Sequence, residues 1–238
     1  PSFETPATTA ALSKAPVRGV PVTGELRLDL DAMAAAARGA GLVFLCNPNN
    51  PTGTLHGADA VRDCIARITR ESPGTIVLVD EAYHEYVTDP RYATALPIAT
   101  AQPNVVVSRT FSKIYGIAGL RVGYAMGQPA TIAALRAQAL GLNVNQLGAI
   151  AAHACLQQPT LVTRERDANR RTLEWTRDRF AQLGFATTDS QANFVLVDTA
   201  DAARPMEAGR RAGVLLRDFS AKPYTPGGLR SSVVTPDQ

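Results

Sequence analysis

The chain has 238 residues, of which 45% are hydrophobic and 19% are charged. This composition is typical of a folded globular protein, and it excludes a disordered chain and a small disulfide-stabilised scaffold. The 24 basic and 21 acidic residues give a net charge of only +3, so the charge does not indicate a nucleic-acid partner. No apolar stretch approaches the roughly 18–20 residues that span a bilayer, so no membrane segment is predicted.

Short apolar runs alternate with helical patterns along the first two thirds of the chain, which predicts α/β architecture with a mainly parallel sheet. Buried strands are predicted at residues 42–46, 75–79 and 105–107, with a helix over 58–70 and a further strand over 121–126. Helices are predicted over 129–139, 146–156 and 160–183.

The last part of the chain follows a different order, strand, helix, strand, strand, at residues 193–197, 202–212, 214–216 and 229–234. This pattern predicts a small α+β domain. We place the domain boundary near Pro159, with a large domain over residues 1–157 and a small one over 158–238.

The three predicted buried strands are each followed by chemically active residues. The first leads into NPNNPTG at 47–53, the second into DEAY at 80–83, and the third into SRTFSK at 108–113. Ligands in open α/β sheets bind beyond the carboxyl ends of the strands, so these loops are the candidate site. A lysine amid hydroxyls, with Arg121 eight residues later, suggests an amine nucleophile beside an anion site.

Each motif alone has a simpler interpretation. The first could be an ordinary Asn/Pro turn, the second a metal site or a cap, and the third a surface lysine in a polar loop. It is the three together, each after its own strand, that favour a catalytic site.

The motifs NPNNPTG, DEAY, TFSK and GLRVGY in this order resemble the pyridoxal-phosphate-dependent aminotransferases of class I/II, and among them the histidinol-phosphate aminotransferases. The similarity runs over essentially the whole chain. It implies fold type I, with pyridoxal 5'-phosphate as the cofactor and no catalytic metal.

The resemblance also implies a role for each matching residue of the large domain. Lys113 would form the aldimine with the cofactor and then move the substrate proton, while Asp80 would pair with the pyridine nitrogen. Tyr83 and Asn50 would contact the ring's phenolic oxygen. The phosphate would be bound by Thr110, Ser112 and Arg121, and the ring would stack on Phe3.

In the small domain, the resemblance implies that Arg230 would bind the substrate carboxylate or a phosphate, and that Arg217 would contact the distal part of the substrate. The expected reaction is a ping-pong exchange between an amino donor, either histidinol phosphate or an amino acid, and a 2-oxo acid. Family members are typically homodimers, which is the expected state of the full-length protein.

Two alternatives remain open from the sequence. A decarboxylase of the threonine-phosphate type shares nearly all of the cofactor motifs, and the aminotransferase-like sensor domain of a transcription regulator keeps Lys113 and Asp80. Family members also carry about a hundred further residues before Phe3, and usually a final helix after Arg230. We therefore expect this stretch alone to bind the cofactor weakly or not at all.

The three cysteines, Cys46, Cys64 and Cys155, are widely spaced and have no histidines at ligand spacing. They are predicted to be free thiols in a reducing compartment, which agrees with a cytoplasmic protein. An export signal is left open, since the sequence starts at Pro1 without an initiator methionine.

Overall fold

The structure is a computed structural model that describes residues 2–199, 201–219 and 229–232. The chain divides into two compact units. The parallel-sheet unit comprises Leu30–Asn47 and His56–Arg166, and the antiparallel-sheet unit comprises Pro1–Asp29, Pro48–Leu55 and Asp167–Gln238. The division of domains at residue 157 remains a prediction from the sequence.

The described residues form the α-helices and β-strands given below. The helices are α1 (Thr5–Leu12), α2 (Leu30–Ala36), α3 (Ala58–Glu71), α4 (Leu96–Ala101), α5 (Pro129–Ala137), α6 (Gln146–Leu156), α7 (Leu161–Gln182) and α8 (Ala203–Arg211). The strands are β1 (Leu42–Cys46), β2 (Ile76–Asp80), β3 (Val105–Thr110), β4 (Gly123–Met126), β5 (Ala186–Thr187), β6 (Phe194–Asp198), β7 (Arg217–Asp218) and β8 (Leu229–Ser232).

The parallel-sheet unit contains a four-stranded sheet in the order β1-β2-β3-β4. The first three strands run parallel, and β4 pairs antiparallel with β3. The strand residues Leu45, Val77, Val79, Val105 and Val107 are buried. Strands this apolar must be covered on both faces, so the predicted α/β class with a mainly parallel sheet is confirmed.

The β1–α3–β2 segment shows how the sequence pattern sets the packing. Val61, Ile65 and Ile68 recur at helical spacing along α3, and all three are buried, together with Cys64. Burying such a stripe removes apolar area from water, which stabilises the packed helix by roughly 25 cal/mol per Å².

The antiparallel-sheet unit contains the second sheet, in the order β5-β6-β8-β7, with every pairing antiparallel. Its core consists of Leu173 from α7, Val195 and Val197 from β6, and Ala202 just before α8. The strand and helix order from β6 to β8 is the α+β pattern that the sequence predicts for the end of the chain. The part of the predicted last strand at 233–234 lies outside the described residues.

Two predicted elements differ from the structure. Residues 214–216 are not a strand, because Gly213 adopts a positive φ of 78° and the Val214 N–H turns back to the Gly209 carbonyl at 2.8 Å. The strand starts instead at Arg217. β3 also continues through the polar residues to Thr110, where the sequence predicts a loop from residue 108 onward.

Residues 48–53 of the NPNNPTG motif form a tight turn in the antiparallel-sheet unit. Gly53 has a φ of 71°, and a Cβ at this position would lie 2.6 Å from the Cβ of Ser190. The Gly53 carbonyl also accepts a hydrogen bond from the Gln191 N–H at 2.9 Å. Only glycine meets both the backbone conformation and the close approach.

Candidate active site

Two polar strand ends lie side by side in the parallel-sheet unit. β2 ends at Asp80, and its parallel register places Asp80 opposite Ser108 on β3. The carboxyl ends of parallel strands form the edge at which ligands bind in open α/β sheets. The structure thus brings together the DEAY and SRTFSK motifs, whose first residues lie 28 positions apart in the sequence.

Asp80 accepts hydrogen bonds within this edge. The Ser108 hydroxyl donates to Oδ1 at 3.1 Å, the Ala82 N–H donates to the carboxylate, and the Cys46 thiol lies 3.9 Å from Oδ2. Burial raises the pKa of Asp80, while these hydrogen bonds and the charge of Lys113 oppose the rise. Several partners therefore hold the carboxyl group in place, but its burial makes ionisation unfavourable.

We expect Asp80→Asn to raise the Tm of the ligand-free protein by about 2–4 °C near neutral pH. Burial places the pKa of Asp80 in the folded protein above its value in the unfolded chain. The contribution of this carboxyl group to the free energy of unfolding is therefore complete below the unfolded pKa, and it is lost as the pH rises through the folded pKa. An amide carries no charge at any pH and avoids this loss.

Thermal unfolding at about pH 3 and pH 7 tests this expectation, since the gain must be present at pH 7 and must shrink in acid. Equal Tm values at pH 7, or an equal gap at both pH values, would contradict it.

Lys113 lies beside a buried tyrosine. Its Nζ is 5.2 Å from the centroid of the Tyr83 ring. The segment that carries Lys113 is anchored by Phe111, which is buried and packs 4.8 Å from Tyr115 and 5.7 Å from Tyr124 between ring centroids. This packing fixes the turn after β3 and with it the position of the amine.

The Ser112 hydroxyl, directly before Lys113, lies next to a cation. Nη1 of Arg121 is 3.5 Å from Oγ of Ser112, and it donates to the Ala118 carbonyl at 2.7 Å. The Ser112 N–H donates to Oγ1 of Thr110 at 3.0 Å. A guanidinium with two hydroxyls has the donors that an oxyanion such as a phosphate requires.

A buried ion pair that was not predicted from the sequence lies directly after Asp80 and Ser108 in the chain. Glu81 is 1% exposed, and one of its carboxylate oxygens accepts from Arg109 Nη2 at 2.8 Å and Nε at 3.0 Å. Thr94 and the Ala95 N–H also donate to this carboxylate. The adjacent DE and SR pairs are the sequence signal for it, and that signal becomes readable only once the β2–β3 register is known.

His84 belongs to the same region but not to the catalytic cluster. Its Nδ1 lies 3.0 Å from the Tyr92 hydroxyl. Burial lowers the pKa of His84, and the Arg109 cation lowers it further. His84 is half-buried beside Tyr92, as suits a packed residue.

Four predicted site residues lie in the antiparallel-sheet unit. Nη1 of Arg230 donates to Oδ1 of Asn50 at 2.8 Å. The Arg230 guanidinium lies 5.0 Å from the Phe194 ring centroid, and both Arg230 and Arg217 lie within 6 Å of the Phe219 ring. Two cations thus flank a buried aromatic ring, an arrangement that can bind an anion.

The fourth of these residues, Phe3, is 45% exposed. Beside it in the sequence, the Ser2 hydroxyl donates to Oδ1 of Asn49 at 2.8 Å, and the Asn49 amide donates to Thr52 at 2.9 Å. Asn49 is thus engaged in hydrogen bonds that hold the turn together. Of the two neighbouring asparagines, Asn50 remains the predicted ligand contact.

No helix among the described residues is long and apolar enough to cross a membrane. Within residues 2–199, 201–219 and 229–232, no group of three or more metal-ligating side chains gathers at one place.

Comparison with known proteins identifies the family. The family model for aminotransferase class I and II matches residues 1–238. The histidinol-phosphate aminotransferase of Symbiobacterium thermophilum is 43% identical over 100% of this chain and 64% of its own length. That of Brevibacillus brevis is 36% identical over 88% of this chain and 57% of its own length. The chain therefore spans less than two thirds of the length of these relatives.

A solved structure shows the same fold. The histidinol-phosphate aminotransferase of Sinorhizobium meliloti, in complex with pyridoxal-5'-phosphate, superposes with a TM-score of 0.88 at 27% identity, covering 97% of this chain and 63% of that one. The fold-type-I architecture and the resemblance inferred from the motifs are confirmed. The chain belongs to the class I and II aminotransferase family.

Proposed function

We propose that the protein is a pyridoxal-phosphate-dependent aminotransferase that transfers the amino group of histidinol phosphate, or of a related amino donor, to a 2-oxo acid. The observation that carries the proposal is the grouping of Asp80, Tyr83 and Lys113 with an Arg–hydroxyl cluster in one unit. The names of the Symbiobacterium and Brevibacillus relatives support the substrate.

The residues of the parallel-sheet unit fit pyridoxal phosphate. Asp80 provides a carboxylate for a ring nitrogen, Lys113 a primary amine for an aldehyde, and Tyr83 a phenol for a ring oxygen. Thr110, Ser112 and Arg121 provide donors for a phosphate. The donor set therefore matches each polar group of this cofactor.

Pyridoxal phosphate, when bound, supplies an electron sink for the negative charge that develops at the substrate α-carbon. Asp80 would stabilise a proton on the ring nitrogen through a charge-assisted hydrogen bond, and its burial would strengthen that interaction. The carboxylate must be ionised for this role, and its hydrogen bonds favour the ionised form.

Lys113 would then move a proton to and from the substrate α-carbon with its amine. Its anchored segment limits the region that Nζ can reach. Tyr83, which is buried, contributes a hydroxyl donor whose position is fixed by packing. Arg121, Thr110 and Ser112 would hold the phosphate so that the reacting groups stay aligned.

The remaining roles extend the proposal to the antiparallel-sheet unit. We assign substrate-anion binding to Arg230 and Arg217, ring contact to Phe3 and phenolic-oxygen contact to Asn50, as the resemblance implies. Their support is that both arginines pack near Phe219 and that Arg230 bonds to Asn50.

We also propose a homodimer in the cytoplasm. The dimer is supported by the exposed apolar side chains on and between α5 and α6, namely Leu135, Leu140, Leu142, Val144, Leu147 and Ile150. The free thiols Cys46, Cys64 and Cys155 are in keeping with a reducing compartment.

Half-reactions in the full-length protein loaded with pyridoxal phosphate test the proposed activity. Histidinol phosphate is expected to convert the cofactor to its pyridoxamine form without release of carbon dioxide, and with a kcat/KM at least about tenfold above that for glutamate or phenylalanine. A faster reaction with glutamate or phenylalanine would contradict the proposal that histidinol phosphate is the amino donor. Release of carbon dioxide in place of the pyridoxamine form would indicate a decarboxylase.

A further inference from the structure

We propose that Ser108 is a positioning residue for this reaction, which fixes the orientation of the Asp80 carboxylate by a direct hydrogen bond from its hydroxyl. The proposal depends on the proposed function, because it gives Asp80 its cofactor contact. Ser108 lies before the TFSK motif and is not among the residues to which the resemblance gives a role.

The geometry joins the two residues through both main chain and side chain. Ser108 Oγ donates to Oδ1 of Asp80 at 3.1 Å, and the register places the two residues opposite each other on parallel strands. The Ser108 carbonyl accepts from the Glu81 N–H at 2.9 Å. Strand pairing therefore fixes the backbone of Ser108, and this places its hydroxyl beside the Asp80 carboxylate.

The neighbouring Glu81–Arg109 ion pair favours the strand register on which the Asp80–Ser108 contact depends. Side chains alternate between faces of a sheet, and the Glu81–Arg109 ion pair lies one residue beyond the Asp80–Ser108 pair, with Glu81 just past the end of β2 and Arg109 within β3. A register shift of one residue would break both pairs together. The buried ion pair thus maintains the register that brings the Ser108 hydroxyl to Asp80.

The hydroxyl acts on a carboxylate with few other donors of comparable strength. The Ala82 N–H donates to it, and the Cys46 thiol, which is a weak donor, lies 3.9 Å from Oδ2. Without the Ser108 hydroxyl, Asp80 loses a bond that favours its ionised form and restricts its rotation. Its pKa, already raised by burial, would rise further.

A matched pair of variants of the full-length protein isolates the hydroxyl. Thr and Val have the same branched shape and both suit a strand, so Ser108→Thr and Ser108→Val add the same bulk and differ in the hydroxyl alone. Affinity for pyridoxal phosphate is measured by fluorescence titration from about pH 5 to pH 8. We expect Ser108→Val to bind about tenfold more weakly than Ser108→Thr, with the gap widening toward acid.

Asp80→Ala provides the control that separates the two proposals. If Asp80→Ala weakens binding but the Thr and Val variants bind alike at every pH, the role of Ser108 is wrong and the proposed function stands. If Asp80→Ala binds as tightly as the parent, the cofactor contact of Asp80 is wrong. Ser108→Ala serves as a second variant without a hydroxyl, and it should match Ser108→Val in its pH profile.

Discussion

Replacement of Lys113 by alanine is expected to lower kcat/KM for amino-group transfer by at least about 10³-fold in the full-length protein. The amine is both the proposed nucleophile and the proposed proton carrier, and proton transfer by a positioned side chain alone contributes about 10²–10⁴-fold. Its Nζ lies 5.2 Å from the centroid of the Tyr83 ring, beside a residue proposed to contact the cofactor. Steady-state kinetics with histidinol phosphate measures the loss.

Lys113→Arg is the matched control because it retains the positive charge beside Tyr83. A guanidinium stays protonated at all accessible pH values, so it cannot act as a nucleophile or accept the substrate proton. Lys113→Arg should therefore be nearly as inactive as Lys113→Ala. Reductive trapping with borohydride should attach pyridoxal phosphate to the parent at residue 113, and to neither variant.

Lys113→Ala is expected to change the free energy of unfolding by no more than about 1 kcal/mol, because Lys113 is partly exposed and the Asp80 carboxyl keeps its hydrogen bonds from Ser108 and Ala82. A variant that retains more than a tenth of the parent activity, with an unchanged fold, would show that Lys113 is not the central residue.

Periodicity predicts elements well where one residue pattern decides them. β1 and α6 have the predicted bounds of 42–46 and 146–156. The apolar run of β1 suits a buried strand, and α6 begins after Asn145, whose side chain accepts the Gly148 N–H at 2.6 Å.

Periodicity fails where the tertiary environment reverses the local pattern. The apolar residues at 214–216 suggest a strand, yet the turn at Gly213 delays the strand to Arg217. The polar residues at 108–110 suggest a loop, yet they continue β3 because Ser108 and Arg109 find acidic partners at the end of β2. Prediction of a polar strand end therefore requires knowledge of the neighbouring strand.

In the candidate site too, some residues could be predicted from the sequence pattern and others depend on the tertiary structure. Asp80, Tyr83 and Lys113 were found because each lies in a motif that the sequence displays directly, and their roles stay predictions. Glu81 and Arg109 occur in those same motifs, but their partnership depends on strand register across 28 residues. Motifs predict which groups contact a ligand, whereas the groups that hold them in place emerge from the packing.

The buried pair leads to the largest expected effect on stability. Arg109→Met leaves the Glu81 carboxylate, which is 1% exposed, without its cation, and we expect a loss of about 3–5 kcal/mol in the free energy of unfolding. Thr94 and the Ala95 N–H still donate to Glu81, but neither neutralises its charge. Urea unfolding of the variant and the parent measures the difference.

An exposed pair provides the control. Arg211 on α8 bonds to Glu207 at 3.0 Å, but both side chains are largely exposed, so Arg211→Met should cost no more than about 1 kcal/mol. The contrast between the two substitutions separates the effect of burial from that of losing an arginine. Equal losses at the two sites would contradict the assignment of Glu81 as a buried charge.

The double variant Glu81→Gln with Arg109→Met tests whether the penalty comes from the charge itself. The introduced glutamine would remain an acceptor for Thr94 and the Ala95 N–H while carrying no charge, so the double variant should recover most of the stability that Arg109→Met loses. A double variant as unstable as Arg109→Met would instead show that the loss comes from packing of the arginine side chain.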